Sequence, residues 1–191
     1  MIWNGDPCEH ILHSLEEGQP EAWPAIPGLS DAAALVDKGA VWQRLEAWID
    51  RRWPERPATF VVQGNGIGAW MPTPRPFSAT TIEEYIADGW TLIPDASGDP
   101  GPFGWAFPTS GVYRLTGTLG DDDLPIPPAV LEAARRLAEF FASTLAEDAA
   151  AFHVSERLGD YSRHGRPVDW QSKGLVLSGA ADLLRPWRDL R

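Results

Sequence analysis

Cys8, His10 and His13 are residue types that ligate transition metals, and they fall within six positions of one another. Two histidines at i,i+3 with one thiol match neither the i,i+4 pair of a helical site nor a recognised Cys/His spacing, so they read as surface residues. GNGIGAW (64–70) has the glycines of a phosphate loop. No helix start and no GK[ST] follow, which leaves a turn between strands. Asp160 and His164, with Ser155 and Ser162 nearby, have the side chains of a hydrolytic triad, but the chain has no G-x-S-x-G elbow and no sign of an oxyanion hole. Asp121, Asp122 and Asp123 lack the alternating spacing and closing glutamate of a calcium loop. They read as a solvated turn or, functionally, as an acidic collar facing a channel. The sequence therefore implies no enzyme, no metal and no cofactor.

Two aromatic groupings fit binding better than catalysis. Phe103, Trp105 and Phe107 alternate in a Gly/Pro-rich stretch (95–110), either as a satellite cluster folded back on the domain or as a contact tip for a partner. At the C-terminus, Leu183, Leu184 and Trp187 stand beside Arg185, Arg188 and Arg191. Apolar and arginine anchors in a short terminal segment suit docking on another subunit.

Eighteen glycines and eighteen prolines in 191 residues require many turns. Ten tryptophans exceed what a chain of this length readily buries, and surplus indole favours protein contacts. A net charge of −11 opposes a surface that grips nucleic-acid phosphates, yet does not exclude a protein that DNA passes without sticking, because an acidic wall repels the backbone. One cysteine excludes an internal disulfide framework, which points to intracellular assembly. No signal peptide or membrane span is apparent.

The elements that must carry these residues follow from periodicity. Residues 1–29 read as an N-terminal arm, with a short helix over 9–17 and a Pro-punctuated linker over 19–28. Residues 30–53 read as two helical pieces, capped by Ser30 or Asp31, with a break allowed at Gly39 and a stop at Pro54. Residues 58–120 read as a β subdomain inserted between helices 30–53 and 128–148. In it, Asp88-Gly89 is the strongest hairpin signal and leads into a returning strand over 90–94. LPIPPAVLEAARRLAEFFASTLAED (124–148) is the central helix: Pro128 suits the first helical position, and Val130, Leu131, Ala134, Leu137, Ala138, Phe141 and Leu145 recur at helical spacing. Residues 149–174 read as loop with short helical pieces, and 175–191 as a docking tail whose short helix Ser178 caps. The expected fold class is α+β, mainly helical: a small helical bundle with an inserted small antiparallel β subdomain and extended terminal arms, residues 30–191 forming the main domain.

The order of these features resembles the head-to-tail connector, the adaptor beneath the portal of long-tailed phages and gene transfer agents. The resemblance spans roughly residues 40–191. It rests on the helix at 41–53, GVYRLTGTLG (111–120), PPAVLEAARRLAEFFA, SERLGDYS (155–162) and GAADLLRPWRDLR (179–191); the first 39 residues depart from the usual short lead-in helix. It implies a non-enzymatic virion component, assembled in the host cytoplasm and located in the neck. It implies a homo-oligomeric, dodecameric ring joining the portal to a stopper or tail-completion protein, with DNA passing through the lumen and no membrane involved. On this reading Leu183, Leu184, Arg185, Trp187, Arg188 and Arg191 dock on the portal, and Phe103, Trp105 and Phe107 contact the neighbouring subunit or the next ring. Asp121–Asp123 would face the lumen. Deleting 179–191 is expected to abolish docking without unfolding the subunit. The competing readings are a monomeric or dimeric module binding a ligand through the aromatic loop, and a hydrolase using residues 153–164.

Overall fold

The computed structural model describes residues 13–66, 69–94, 96, 98–102, 104–151, 157–158, 161–162 and 170–188. The chain forms two compact units, one from residues 1–22 and 50–124, the other from residues 23–49 and 125–191.

The first unit is built on a sheet. Strand β1 (His13–Glu17) is an edge strand beside β2 (Arg56–Asn65), so the helix expected over 9–17 is corrected: its described part is extended and paired antiparallel with Ala58–Val62. A two-residue strand β3 (Ala69–Trp70) follows β2. Then come β4 (Phe77–Ile86), β5 (Gly89–Leu92), the short β6 (Trp105–Ala106) and β7 (Ser110–Leu119). The five-stranded sheet is antiparallel with order β1-β2-β7-β4-β5, while β3 and β6 pair separately. Alternation on β2 buries Ala58, Phe60 and Val62, and β7 contributes Tyr113, Leu115 and Leu119 to the same core. On β4 the inward parity changes from Phe77 and Ala79 to Ile82, because a bulge inserts one residue between Ala79 and Thr81. Gly117 lies opposite that bulge, where a Cβ would collide with the Ser78 carbonyl oxygen.

The second unit is helical. It contains α1 (Asp31–Ala34), α2 (Lys38–Ile49), α3 (Pro128–Ala151), a short hairpin of β8 (Arg157–Leu158) and β9 (Tyr161–Ser162), α4 (Trp170–Leu177), α5 (Ala180–Leu184) and a 3-10 turn at Arg185–Trp187. Pro128 opens α3, where its missing N–H costs nothing. Val130, Ala133, Ala134, Leu137 and Ala138 are essentially inaccessible. Their opposite numbers on α2 are Val41, Trp42, Leu45 and Ile49, and α1, α4 and α5 also pack against α3. Leu131 is only half-buried, Ala133 taking its place on the inner face. The Ser30 side chain caps α1 by accepting from the Ala33 N–H at 3.2 Å. Its own N–H and hydroxyl donate to the Glu139 carboxylate of α3, both at 2.7 Å, which ties the two helices together.

The expectation of a mainly helical bundle is corrected. Among the described residues helix and strand take nearly equal shares, about 32% and 33%. Three ten-residue strands pair along most of their length and enclose a core of their own, which Phe60, Phe77 and Tyr113 help fill. Residues read as an arm or a loop complete this sheet unit. Among the described residues no helix is long and apolar enough to cross a membrane.

Candidate assembly surfaces

The aromatic stretch is drawn inward. Gly104 has φ +95° and passes so close to Trp70 that a Cβ there would strike the Trp70 backbone, which lets the chain turn Trp105 back over the sheet. Trp105 pairs with Trp70 in the β3–β6 ladder, their rings stacked with centroids 5.8 Å apart, and meets Phe77 edge-on at 5.7 Å. Phe107 is buried and stacks on Tyr113 at 4.3 Å. The Tyr113 hydroxyl donates to the Thr109 carbonyl at 3.1 Å, and the Thr109 hydroxyl donates to Glu84 at 2.7 Å, which secures the end of this stretch. Trp105 and Phe107 thus belong to the β core in the subunit; Phe103 lies outside the described residues.

The acidic turn is held by its own side chains. Asp121 accepts the Asp123 N–H at 3.0 Å, and Asp122 accepts the Glu55 N–H at 2.9 Å. Asp122 and Asp123 are exposed, and Asp121 joins Glu55, Asp99, Arg75, Met71 and Pro76 in lining a cleft of about 520 Å³. Among the described residues no group of three or more His, Cys, Asp or Glu side chains is arranged to hold a metal ion. Cys8, His10, Ser155, Asp160 and His164 lie outside the described residues, as do Ile67 and Gly68 of the glycine-rich turn.

The tail is partly structural. Leu184 and Ala180 are fully buried in the helical unit, and Leu183 is half-buried. The Arg188 guanidinium lies 4.7 Å from the ring centroid of Trp48 on α2. Arg185 and Trp187 remain exposed, Trp187 at 37%. Arg191 lies outside the described residues. Because α5 supplies core side chains, deletion of 179–191 would open the unit as well as remove the exposed anchors. That corrects the expectation of a neutral deletion.

Two arrangements escaped the sequence reading. The first is a clamp on the edge strand. Arg52 donates to both Glu17 carboxylate oxygens, at 2.8 and 3.0 Å, and the buried Arg56 donates to one of them at 2.8 Å. Burial acts to raise the Glu17 pKa, but the hydrogen bonds and charges of the two arginines outweigh it, so the carboxyl lies below its ordinary range. The second is an exposed face near the β4–β5 turn. Tyr85 and Trp90 pair across the hairpin with ring centroids 5.2 Å apart, and Arg114 of β7 lies 4.4 Å over Trp90. Arg114 also donates to Glu83 at 2.7 Å, a bond that lowers the Glu83 pKa and raises that of Arg114. Leu92, cross-strand from Glu83, is 57% exposed. The signal was available: the returning strand GWTL carries no charge at all.

The fold has a counterpart among solved structures. A chain of the neck of an empty GTA particle, computed with C6 symmetry, superposes with a TM-score of 0.50 at 16% identity, over 93% of this chain and 96% of that one. A chain of the neck of a native GTA particle, computed with C12 symmetry, gives 0.42 at 17% identity over the same shares, too distant a likeness to argue from. No protein-family model matches the chain, and no curated protein matches it. The first likeness extends over nearly the whole of both chains, and at this identity it concerns the fold.

Proposed function

We propose that this protein is a structural adaptor in the neck of a virion or gene-transfer-agent particle, a ring that joins the portal to a stopper or tail-completion protein and lets DNA through. The observation that carries the reading is the fold shared, end to end, with a chain of a GTA particle neck. The negative charge of the chain is compatible with a lumen that does not retain DNA. Asp122 and Asp123, exposed on a turn whose Asp121 and Asp122 carboxylates accept backbone N–H groups, are the acidic residues proposed to face it.

In this reading the portal contact uses the exposed Arg185, Trp187 and Arg188, together with Arg191. Leu184 and Leu183 support the tail from within the subunit. The test is co-purification with a portal protein, read by electron microscopy for a ring at the portal's lower face. The double variant Arg185→Glu, Trp187→Ala keeps Leu184 in place and is expected to lose portal binding while retaining the wild-type melting temperature. Undiminished binding by the folded variant would remove the tail from the contact. A particle lacking this protein is expected to hold a filled or empty head without a tail. Normal tailed particles in its absence would remove the adaptor reading altogether.

A further inference from the structure

On the described surface, large exposed apolar side chains gather most densely around the β4–β5 turn: Tyr85 at 46%, Ile86 at 50%, Leu92 at 57% and, beside them on β7, Val112 at 36%. Tyr85, Leu92 and Val112 share one face of the sheet with Trp90, Glu83 and Arg114, as their cross-strand pairing and alternation require. Arg114 is the one cation in that row and Glu83 the one anion. They are paired with each other, so the centre of the face carries no net charge.

The two edges of the sheet also differ. The β1 edge carries Glu16 and Glu17, with Glu17 clamped by two arginines. Charge of that kind blunts an edge against pairing. The β5 edge, Gly89-Trp90-Thr91-Leu92, has no charge and no proline.

We infer that this face and the β5 edge are covered by a second copy of the same chain. The inference rests on the adaptor-ring reading, and charge selects the occupant. Each copy carries −11, so copies brought together repel wherever their acidic surfaces meet. Self-association is least opposed where charge is already neutralised and apolar surface is exposed, and this face meets both conditions. The acidic cleft does not: its lining of Glu55, Asp99 and Asp121 against Arg75 favours a cationic visitor over another acidic subunit. Size agrees with a partial contact. Three exposed apolar side chains on the face, Tyr85, Leu92 and Val112, expose far less than the ~800 Å² per partner of a stable interface. One such contact is therefore weak by itself, and closure of a ring, in which every subunit gains two contacts, is what makes it persist.

The experiment places the photo-crosslinker p-benzoylphenylalanine at position 92 of the full-length chain. The protein is irradiated over a range of concentrations, the adducts are mapped by mass spectrometry, and the assembly mass is read by light scattering. The expected result is an adduct between two copies in a species larger than a dimer. Leu92→Arg, which buries an unpaired charge in the contact, is expected to lower self-association at least about tenfold with an unchanged circular dichroism spectrum and melting temperature. Oligomers that form without a 92–copy adduct would overturn this inference and leave the ring standing. An adduct confined to closed dimers would uphold the contact and overturn the ring. A chain that remains monomeric without adduct at every concentration would overturn both.

Discussion

Ala87 and Asp88 occupy the two-residue loop between β4 and β5, with φ of +47° and +64°, while Gly89 pairs with Ile86 as the first residue of the returning strand. The hairpin is where Asp-Gly signals it, but the turn sits one residue earlier, because a type I′ turn needs positive φ at both central positions. Ala87 bears that strain without a compensating side chain. Ala87→Gly is expected to stabilise the protein by about 1 kcal/mol, the ordinary cost of a left-handed alanine, seen as a higher urea midpoint at unchanged slope. A lower midpoint would mean that the turn is not what limits the hairpin. The Glu17 clamp makes a prediction in pH. Its folded pKa is depressed, so its stabilisation is fully present above the ordinary value near 4.5 and is lost as pH falls through the folded value. Glu17→Gln is expected to cost about 2 kcal/mol at neutral pH, since the buried Arg56 loses its counter-ion, and to flatten the acid limb of the stability curve below the ordinary carboxylate range. If the wild type and variant curves stay parallel through that limb, Glu17 is not the titrating group. Glu132, held at about 2 by Arg135 and Arg136, is half-exposed and shapes the surface charge of α3.

Among the elements, α3 was the most legible. A proline that fits the first helical turn and apolar residues at 3.6-residue spacing define it without help from the rest of the chain. Its inner face is lined by Ala133, Ala134 and Ala138, whose small side chains let neighbouring helices approach, with Leu137 filling the space between. Leu137→Ala is expected to cost about 3 kcal/mol, measured by chemical denaturation, because a fully enclosed site leaves a cavity. A loss under ~1 kcal/mol would show that the helices collapse onto the gap. The sheet was legible in its strands and not in its extent. Alternation identifies residues 58–63 and 111–120 as strands, but β1 has no pattern that distinguishes five extended residues from a turn and a half of helix. What makes it a strand is the open edge of β2 and the two arginines that receive Glu17. The aromatic stretch is similar. Phe103, Trp105 and Phe107 read equally as a contact tip or an inward cluster. For Trp105 and Phe107 the decision lies with Trp70, Phe77 and Tyr113, residues 6 to 35 positions away whose rings they join.

At the scale of the whole molecule, the chain passes between its two units three times, after residues 22, 49 and 124, so neither unit is a continuous piece of sequence. Excising residues 50–124 would leave the β2 edge unpaired and Arg52 and Arg56 without Glu17. That fragment is expected to aggregate or melt well below a version in which residues 13–22 are joined back by a flexible linker. Equal melting temperatures for the two would mean that β1 contributes nothing to the unit. The exposed aromatics divide in the same spirit. Of the eight tryptophans whose burial is described, Trp42, Trp53 and Trp70 are buried and Trp187 is exposed; Trp23, Trp48, Trp90 and Trp105 are half-buried. The subunit thus absorbs much of the indole surplus itself. Among the described residues the exposed aromatic surface is concentrated around Trp187 in the helical unit and Tyr85–Trp90 in the sheet unit.

The sequence by itself determined the local elements and the exclusions: a proline-led helix at 128, a hairpin near 88, β strands around 60 and 115, and a charge too negative for a phosphate-binding surface. These depend on neighbours within a few positions or on composition, which folding does not alter. Only the tertiary structure decided that β1 is a strand, that Trp105 and Phe107 face the core, that Leu184 holds the tail to its own subunit, and that Tyr85 and Leu92 are left exposed on the single subunit. Each of those outcomes depends on which distant side chains share a buried space, and burial is a property of the packed chain rather than of any segment.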